Sequence, residues 1–162
     1  MAVDGERMRS RSGGQEWLVS WHPPDDEPAG RPHGATGVCV AGALLVLISG
    51  DSEHWGFPGG RPEAGETAEE TLRREVWEEA CARVVTARLL GFSRSECVAG
   101  HEEGLVLVRS FWRADVDVLP WRPLFAITHR RLVPAASAAS HIREPDDVGT
   151  RIAHRALADA RL

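Results

Sequence analysis

Apolar residues recur along the chain with two different periods. From Thr67 to about Cys81 they return every fourth residue, as Ala68, Leu72, Val76 and Ala80, which is the stripe of an amphipathic helix. Thr67 is placed to cap that helix, and Glu70 three residues on completes a capping box. Val148, Ile152 and Ala156 predict a last helix, started by Asp146 or Asp147. Elsewhere the pattern is that of strands. Gly37–Ile48 and Leu105–Val116 are apolar on both parities, as in strands covered on both faces. Val84–Phe92 is a further strand, Trp17–Trp21 a short strand or turn, and Ile127–Val133 an edge strand closed by Pro134. Residues 22–34 hold four Pro and two Gly and read as a loop. Residues 1–15 are polar and rich in Gly, Ser and Arg, and are expected to be a flexible N-terminal tail. The order β–α–β–β–β–α predicts an α/β domain over residues 16–162, with one mixed sheet and helices packed against it.

Composition narrows the class. An apolar content of 43% with six Trp opposes disorder, and 162 residues suit one core. A formal charge of −5 gives no general basic field for duplex nucleic acid or an anionic membrane. The longest apolar run, Val38–Ile48, is about half of what a membrane helix needs. The first residues carry acids and Arg but no apolar core of a secretory signal, so a cytoplasmic location is expected. Cys39, Cys81 and Cys97 form no metal-type pair and read as small buried apolar residues.

The charge is uneven. Glu63–Glu79 holds seven Glu and two Arg, a local −5, and the rest of the chain sums to zero. Glu75, Glu78 and Glu79 stand at i, i+3 and i+4, on one helix face beside the apolar stripe. Like charges so placed repel, and burial raises the cost. A divalent cation such as Mg²⁺ or Mn²⁺, which prefers carboxylate oxygens, reverses that sign. The alternative is a solvated acidic face with Arg partners at i+4. Just before the helix, Phe57-Pro58-Gly59-Gly60 makes a tight turn whose bare backbone can approach a ligand or offer a carbonyl to a metal.

Gly60, five residues, Glu66, seven residues, then Arg74-Glu75-Val76-Trp77-Glu78-Glu79-Ala80-Cys81-Ala82 resembles the box of the Nudix hydrolases, G-x5-E-x7-R-E-U-x-E-E-x-G-U, with U aliphatic. Every charged position and the first Gly match. The late Gly is Cys81 and the last aliphatic is Ala82, both beyond the acids, so altered packing of the helix end is expected. The match covers 23 residues, and its flanks extend it to roughly residues 37–93. The resemblance implies a Nudix-like α/β/α sandwich around a mixed β-sheet. It implies a Mg²⁺-dependent hydrolase, with Mn²⁺ as a substitute, cleaving the diphosphate that joins a nucleoside to another group. By position, Glu75, Glu78 and Glu79 are the metal-binding acids and the Gly60 carbonyl a further ligand. The general base is Glu75 or a Glu outside the box, and Glu66 and Arg74 brace loop and helix, Arg74 through its planar fork.

Outside the box, the loop 99–104 supplies Glu102 and Glu103 as base or substrate-binding groups, or is simply a polar turn. Arg109 shares a face with Leu105, Leu107 and Phe111 and therefore needs an anion, either an internal carboxylate or substrate phosphate. Thr128–Arg131 reads as charge protecting a sheet edge. Trp17, Trp21, Trp55, Trp112 and Trp121 are core residues or stacking platforms for a base, and Trp77 is expected to pack. No Pro follows the box closely, and the further marks of dinucleotide or coenzyme A hydrolases are absent. The substrate is then a small nucleotide, a dinucleotide or a nucleotide sugar. A homodimer would use the Trp-rich N-terminal segment. The competing reading is a non-catalytic nucleotide-binding sensor on the same fold, although such proteins usually lose box acids.

Overall fold

The helix signalled by the fourfold repeat is present: in the computed structural model, which describes residues 1–162, α1 spans Ala68–Ala80. Thr67 caps it by accepting a hydrogen bond from the Glu70 N–H at 3.2 Å. Leu72, Val76 and Ala80 are fully buried, worth about 1.5–3 kcal/mol for each of the two larger side chains. Ala68, in the first turn, is exposed, and Thr71 takes its place in the buried face.

Eight strands form one mixed sheet. They are β1 (Met8–Ser12), β2 (Gln15–His22), β3 (Arg31–Ala41), β4 (Leu44–Ser49), β5 (Gly59–Gly60), β6 (Ala82–Ala99), β7 (Val106–Val118) and β8 (His129–Pro134). The order across the sheet is β1-β2-β6-β7-β3-β4-β8, with β5 beside β3. Only β3 and β7 run parallel. A 3₁₀ helix (Ala135–His141) leads to α2 (Asp147–Ala160), capped by Asp146.

The helices cover opposite faces, because β3 and β4 are apolar on both parities. Val38, Val40, Leu45 and Leu47 pack with Ile152 and Ala156 of α2, whereas Cys39, Val46 and Ile48 pack with Leu72 and Val76 of α1. This is the expected α/β/α sandwich.

β3 begins at Arg31, inside the stretch 22–34 read as a loop, and further expectations fail, each for a physical reason. The run Gly37–Ile48 is a hairpin rather than one strand, since Gly42 at φ +62° turns the chain between β3 and β4. Residues 1–15 are no loose tail. Backbone pairing with β2 holds β1, and Ala2 and Met8 are buried in the α2-side core. Trp77, one position past the buried Val76, faces outward and is 57% exposed. Arg130 of the edge strand turns inward and donates to the carbonyls of Ala80, Cys81 and Leu119 at 2.8–3.2 Å. It supplies the cation that the last turn of α1 lacks.

Cys39 and Cys97 are buried as expected, while Cys81 ends α1 in the left-handed region at φ 48°. That is where the family pattern has Gly. Its sulfur makes only weak contacts with the Arg122 backbone at 3.4–3.5 Å. Cys81→Gly should therefore raise stability by about 0.5–1 kcal/mol. A denaturant midpoint that falls would show that the sulfur contacts outweigh the backbone strain.

Candidate active site

The turn before α1 and the helix itself bring the box residues together. β5 pairs Gly59 and Gly60 with Thr36 and Ala35 of β3, which seats the turn on the sheet. Gly60 lies directly against the Glu75 carboxylate, so a Cβ there would collide with it. Arg74 is the hub. Its fork grips Glu66 with two bonds of 2.8 and 2.9 Å, and it also reaches Glu75 at 2.8 Å, Glu78 at 3.2 Å and the Arg61 carbonyl at 2.8 Å. One guanidinium thus ties the loop to the helix.

Glu79 is different. Its carboxylate accepts from the Gly59 N–H at 2.9 Å and has no basic side chain in ion-pair range. Burial pushes its pKa up to about 7; the Gly59 bond opposes this, and Glu75 adds to it. A cleft of about 350 Å³ separates Glu79 from Glu144, with Gly59 on its lining. Glu144 rests against Gly56, makes no side-chain hydrogen bond, and is likewise raised by burial. A second cavity of about 330 Å³ joins Glu144 to Gly59, Thr36 and Arg109. Arg109 donates to the Thr36 hydroxyl at 3.0 Å and finds no carboxylate within ion-pair distance. Of the two anions expected for it, the internal carboxylate is absent.

Glu75, Glu79 and Gly60 are therefore close together, whereas Glu78 is turned to Arg74. No three acids, His or Cys converge as a ready ligand cage, because Arg74 already occupies Glu75 and Glu78. The donor chemistry still suits a hard cation. All the side-chain donors are carboxylate oxygens, and Glu79 is desolvated beside Glu75 with no positive partner.

Glu102 lies elsewhere. Gln15 holds it through bonds of 2.7 and 2.9 Å, and it lines a separate cavity beyond Arg109. Glu103 is exposed and lines none of the cavities described. Glu144 is the acid that sequence reasoning missed. It sits in a polar turn two residues before the α2 cap, and only the fold carries it opposite Glu79. Trp21 and Trp55 are core residues, so Trp21 is not free to form an interface, and Trp17 lines the cavity that holds Glu102.

A mixed sheet between two helices, with carboxylates on the helix that follows a Pro-Gly-Gly turn, defines a sandwich of the Nudix type. The family model described as NUDIX domain matches residues 31–121, and the chain belongs to that family. It is 35% identical over 96 residues to the "Putative 8-oxo-dGTP diphosphatase YtkD" of Bacillus subtilis (strain 168), which covers 59% of this chain and 58% of that protein. It is 44% identical over 50 residues to a "MutT-like protein" of Streptomyces ambofaciens, covering 31% and 32% of the two chains. The matched stretches thus span less than two thirds of either relative. Among solved structures, a mutant of the Bacillus subtilis pyrophosphohydrolase BsRppH superposes with a TM-score of 0.68 at 23% identity, over 95% of this chain and 98% of that one. The MutT protein of Bacillus halodurans gives 0.60 at 18%, over 80% and 84%. These two likenesses are likenesses of fold. No helix is long and apolar enough to cross a membrane.

The Arg74 fork makes a test of the hub. Hydrogen bonds from Arg74, then from the Glu63 N–H, hold the Glu66 carboxyl down at about 2, against an ordinary 4.5. A depressed carboxylate stabilises the fold above the unfolded value, and that contribution is lost as pH falls through the folded one. Glu66→Gln should lower Tm at pH 7, with the deficit shrinking between about pH 4.5 and 2. A deficit independent of pH, followed by thermal unfolding, would mean that Glu66 acts by packing alone.

Proposed function

We propose that this protein hydrolyses the diphosphate linkage of a nucleoside diphosphate joined to a further group, with Mg²⁺ as cofactor and Mn²⁺ as a substitute. The observation that carries this reading is a charge imbalance. Glu79 and Glu144 line one cleft that holds no Arg, and the guanidinium of Arg109, without an ion pair, lines the adjoining cavity that shares Glu144 and Gly59 with it. A buried carboxylate without a partner is costly, and so is a buried guanidinium without an anion. A substrate bearing both a diphosphate and a bound metal satisfies both. The names of the relatives, a diphosphatase and a pyrophosphohydrolase, point the same way.

Each residue then has a role. Glu75, Glu79 and the Gly60 carbonyl hold the metal, and Glu78 joins them as it shares Arg74. The bound metal would neutralise phosphate oxygens and acidify a water. Arg109 takes a phosphate oxygen through the donors that Thr36 leaves free. Glu144 is the base outside the box, since burial lifts its proton affinity towards the working range of a general base. Arg74 keeps the helix and the Gly turn in one geometry and touches no substrate. A sensor with no turnover has no use for Glu144, which is half-buried and whose side chain makes no hydrogen bond or ion pair in this fold.

Release of phosphate or pyrophosphate from a panel of nucleoside diphosphate derivatives, assayed with Mg²⁺, tests the reading. EDTA should stop the reaction, and Mg²⁺ or Mn²⁺ should restore it; a chelator-resistant enzyme sinks the metal assignment. Glu79→Gln should cut turnover at least about 100-fold while the protein stays folded. Glu144→Gln should lower kcat by about 100-fold or more with little change in KM, and should remove an acid limb lying above the ordinary carboxylate range. An unchanged limb in that variant would return the base role to Glu75.

A further inference from the structure

The rest of the chain leaves the outer side of α1 uncovered. Trp77 projects from it, and the loop between β7 and β8 brings Leu124 and Phe125 up beside it; the three are 57%, 79% and 59% exposed. With Leu119 and Pro120 they line an open cavity of about 360 Å³. Large apolar side chains are seldom gathered at a free surface, because burying them gains about 25 cal/mol per Å². The patch is also held in shape. Thr128 donates its N–H to the Ser49 carbonyl at 3.1 Å, and Arg130 donates to the Leu119 carbonyl at 2.8 Å while lying over the Trp121 ring at 5.2 Å. The Arg122 N–H reaches the Cys81 sulfur at 3.4 Å. That last anchor is the residue that stands where the family pattern has Gly, so the face belongs to this chain rather than to the fold.

Opposite charges flank the patch. Glu70 stands seven residues before Trp77, two turns back on the same side of α1 and about 10 Å away along its axis. Arg122 lies at the other end, on the cavity wall beside Cys81. Both are exposed, and neither side chain makes a hydrogen bond or an ion pair. The neighbouring charges are already taken, Arg73 by Glu69, and Arg74 by Glu66 and Glu78. The face therefore runs from an acid through Trp77 and the apolar loop to a base. Turned half a revolution onto a copy of itself, it sets Glu70 of each copy against Arg122 of the other, with the two Trp77 side chains at the centre. The exposed parts of the three large side chains amount to roughly 350 Å² per copy. A standard interface of about 800 Å² per partner needs roughly 450 Å² of apolar area, so the patch supplies most of one.

We propose that the outer face of α1 and the β7–β8 loop form a two-fold interface between two copies of this chain. Glu79 is two residues past Trp77, about 200° round the helix, so the cleft stays open in the dimer. The interface does not depend on which reaction takes place there.

Sedimentation equilibrium of the full chain between about 1 and 200 μM, in about 0.15 M salt, reads it directly. The dimer should dissociate with a Kd on the order of 10 μM. Trp77→Ser should weaken association at least about 10-fold, and because Trp77 is exposed this variant keeps the fold. Glu70→Arg and Arg122→Glu each place like charges across the two-fold, so each variant alone should associate about 10-fold more weakly than the parent. An equimolar mixture of those two variants should recover the parent affinity to within about 3-fold, since the mixed pair restores both contacts. A parent chain that is monomeric over the whole range overturns the proposal and leaves the patch to a different partner. A dimer that Trp77→Ser leaves intact overturns it too, as does a mixture no tighter than its components.

Discussion

The grip of Arg74 on Glu66 is the constraint on which the site depends. The box turn has little to hold it, being short, Gly-rich and joined to β3 by only a two-residue strand. A planar guanidinium that binds one carboxylate with two parallel bonds fixes direction as well as distance. Because the same group also reaches Glu75, Glu78 and the Arg61 carbonyl, helix and turn cannot move independently. Arg130 acts at the other end of α1 by satisfying its last carbonyls from β8. The acidic helix is thus held by two arginines, and neither faces the cleft carboxylates Glu79 and Glu144.

This arrangement explains how seven Glu can share 17 residues. Arg74 bonds Glu66, Glu75 and Glu78, and Arg73 bonds Glu69 at 3.0 Å, so four of the seven share two cations. Glu79 makes no ion pair, and burial disfavours its charged form. The fold ties most of the acidic helix face to Arg74 and leaves Glu79 without an arginine partner. Arg109 offsets its charge only in part: each acts on the other's charge, yet the two make no ion pair.

The parts of this picture that were legible in the sequence are those set by local chemistry. Thr67 and Asp146 cap their helices through their own side chains, and the spacing of Leu72, Val76 and Ala80 is a property of one helix. The double-sided burial of β3 and β4 also follows from their composition. The rest depends on contacts remote in sequence. Polar residues 1–15 gave no apolar signal, yet β1 needs only backbone pairing with β2. Trp77 has the hydrophobicity of a core residue but the wrong azimuth on α1. Arg130 looks like edge protection until the helix end it reaches is known. Glu144 is the clearest case, because no spacing links a Glu in a polar turn to a helix 65 residues earlier.

The placement of Glu144 has its own physical cause. Trp55 and Arg143 exchange both backbone hydrogen bonds, at 2.8 and 2.9 Å, so the turn before α2 is laced to the segment that leads into the Gly turn. The Glu144 N–H is held by the Thr150 hydroxyl of α2 at 3.2 Å, and the α2 cap, Asp146, accepts from Ser10 of β1 at 2.6 Å. Both walls of the cleft therefore hang on one stretch, Trp55–Gly60, which carries Glu144 on one side through Arg143 and Glu79 on the other through the Gly59 N–H. On the Glu144 side these are backbone bonds, which a substitution of that carboxylate leaves intact, whereas on the other side the Glu79 carboxylate is itself the acceptor. Removing the Glu144 carboxylate therefore changes the charge of the cleft and leaves its width, while removing that of Glu79 also frees the Gly59 N–H.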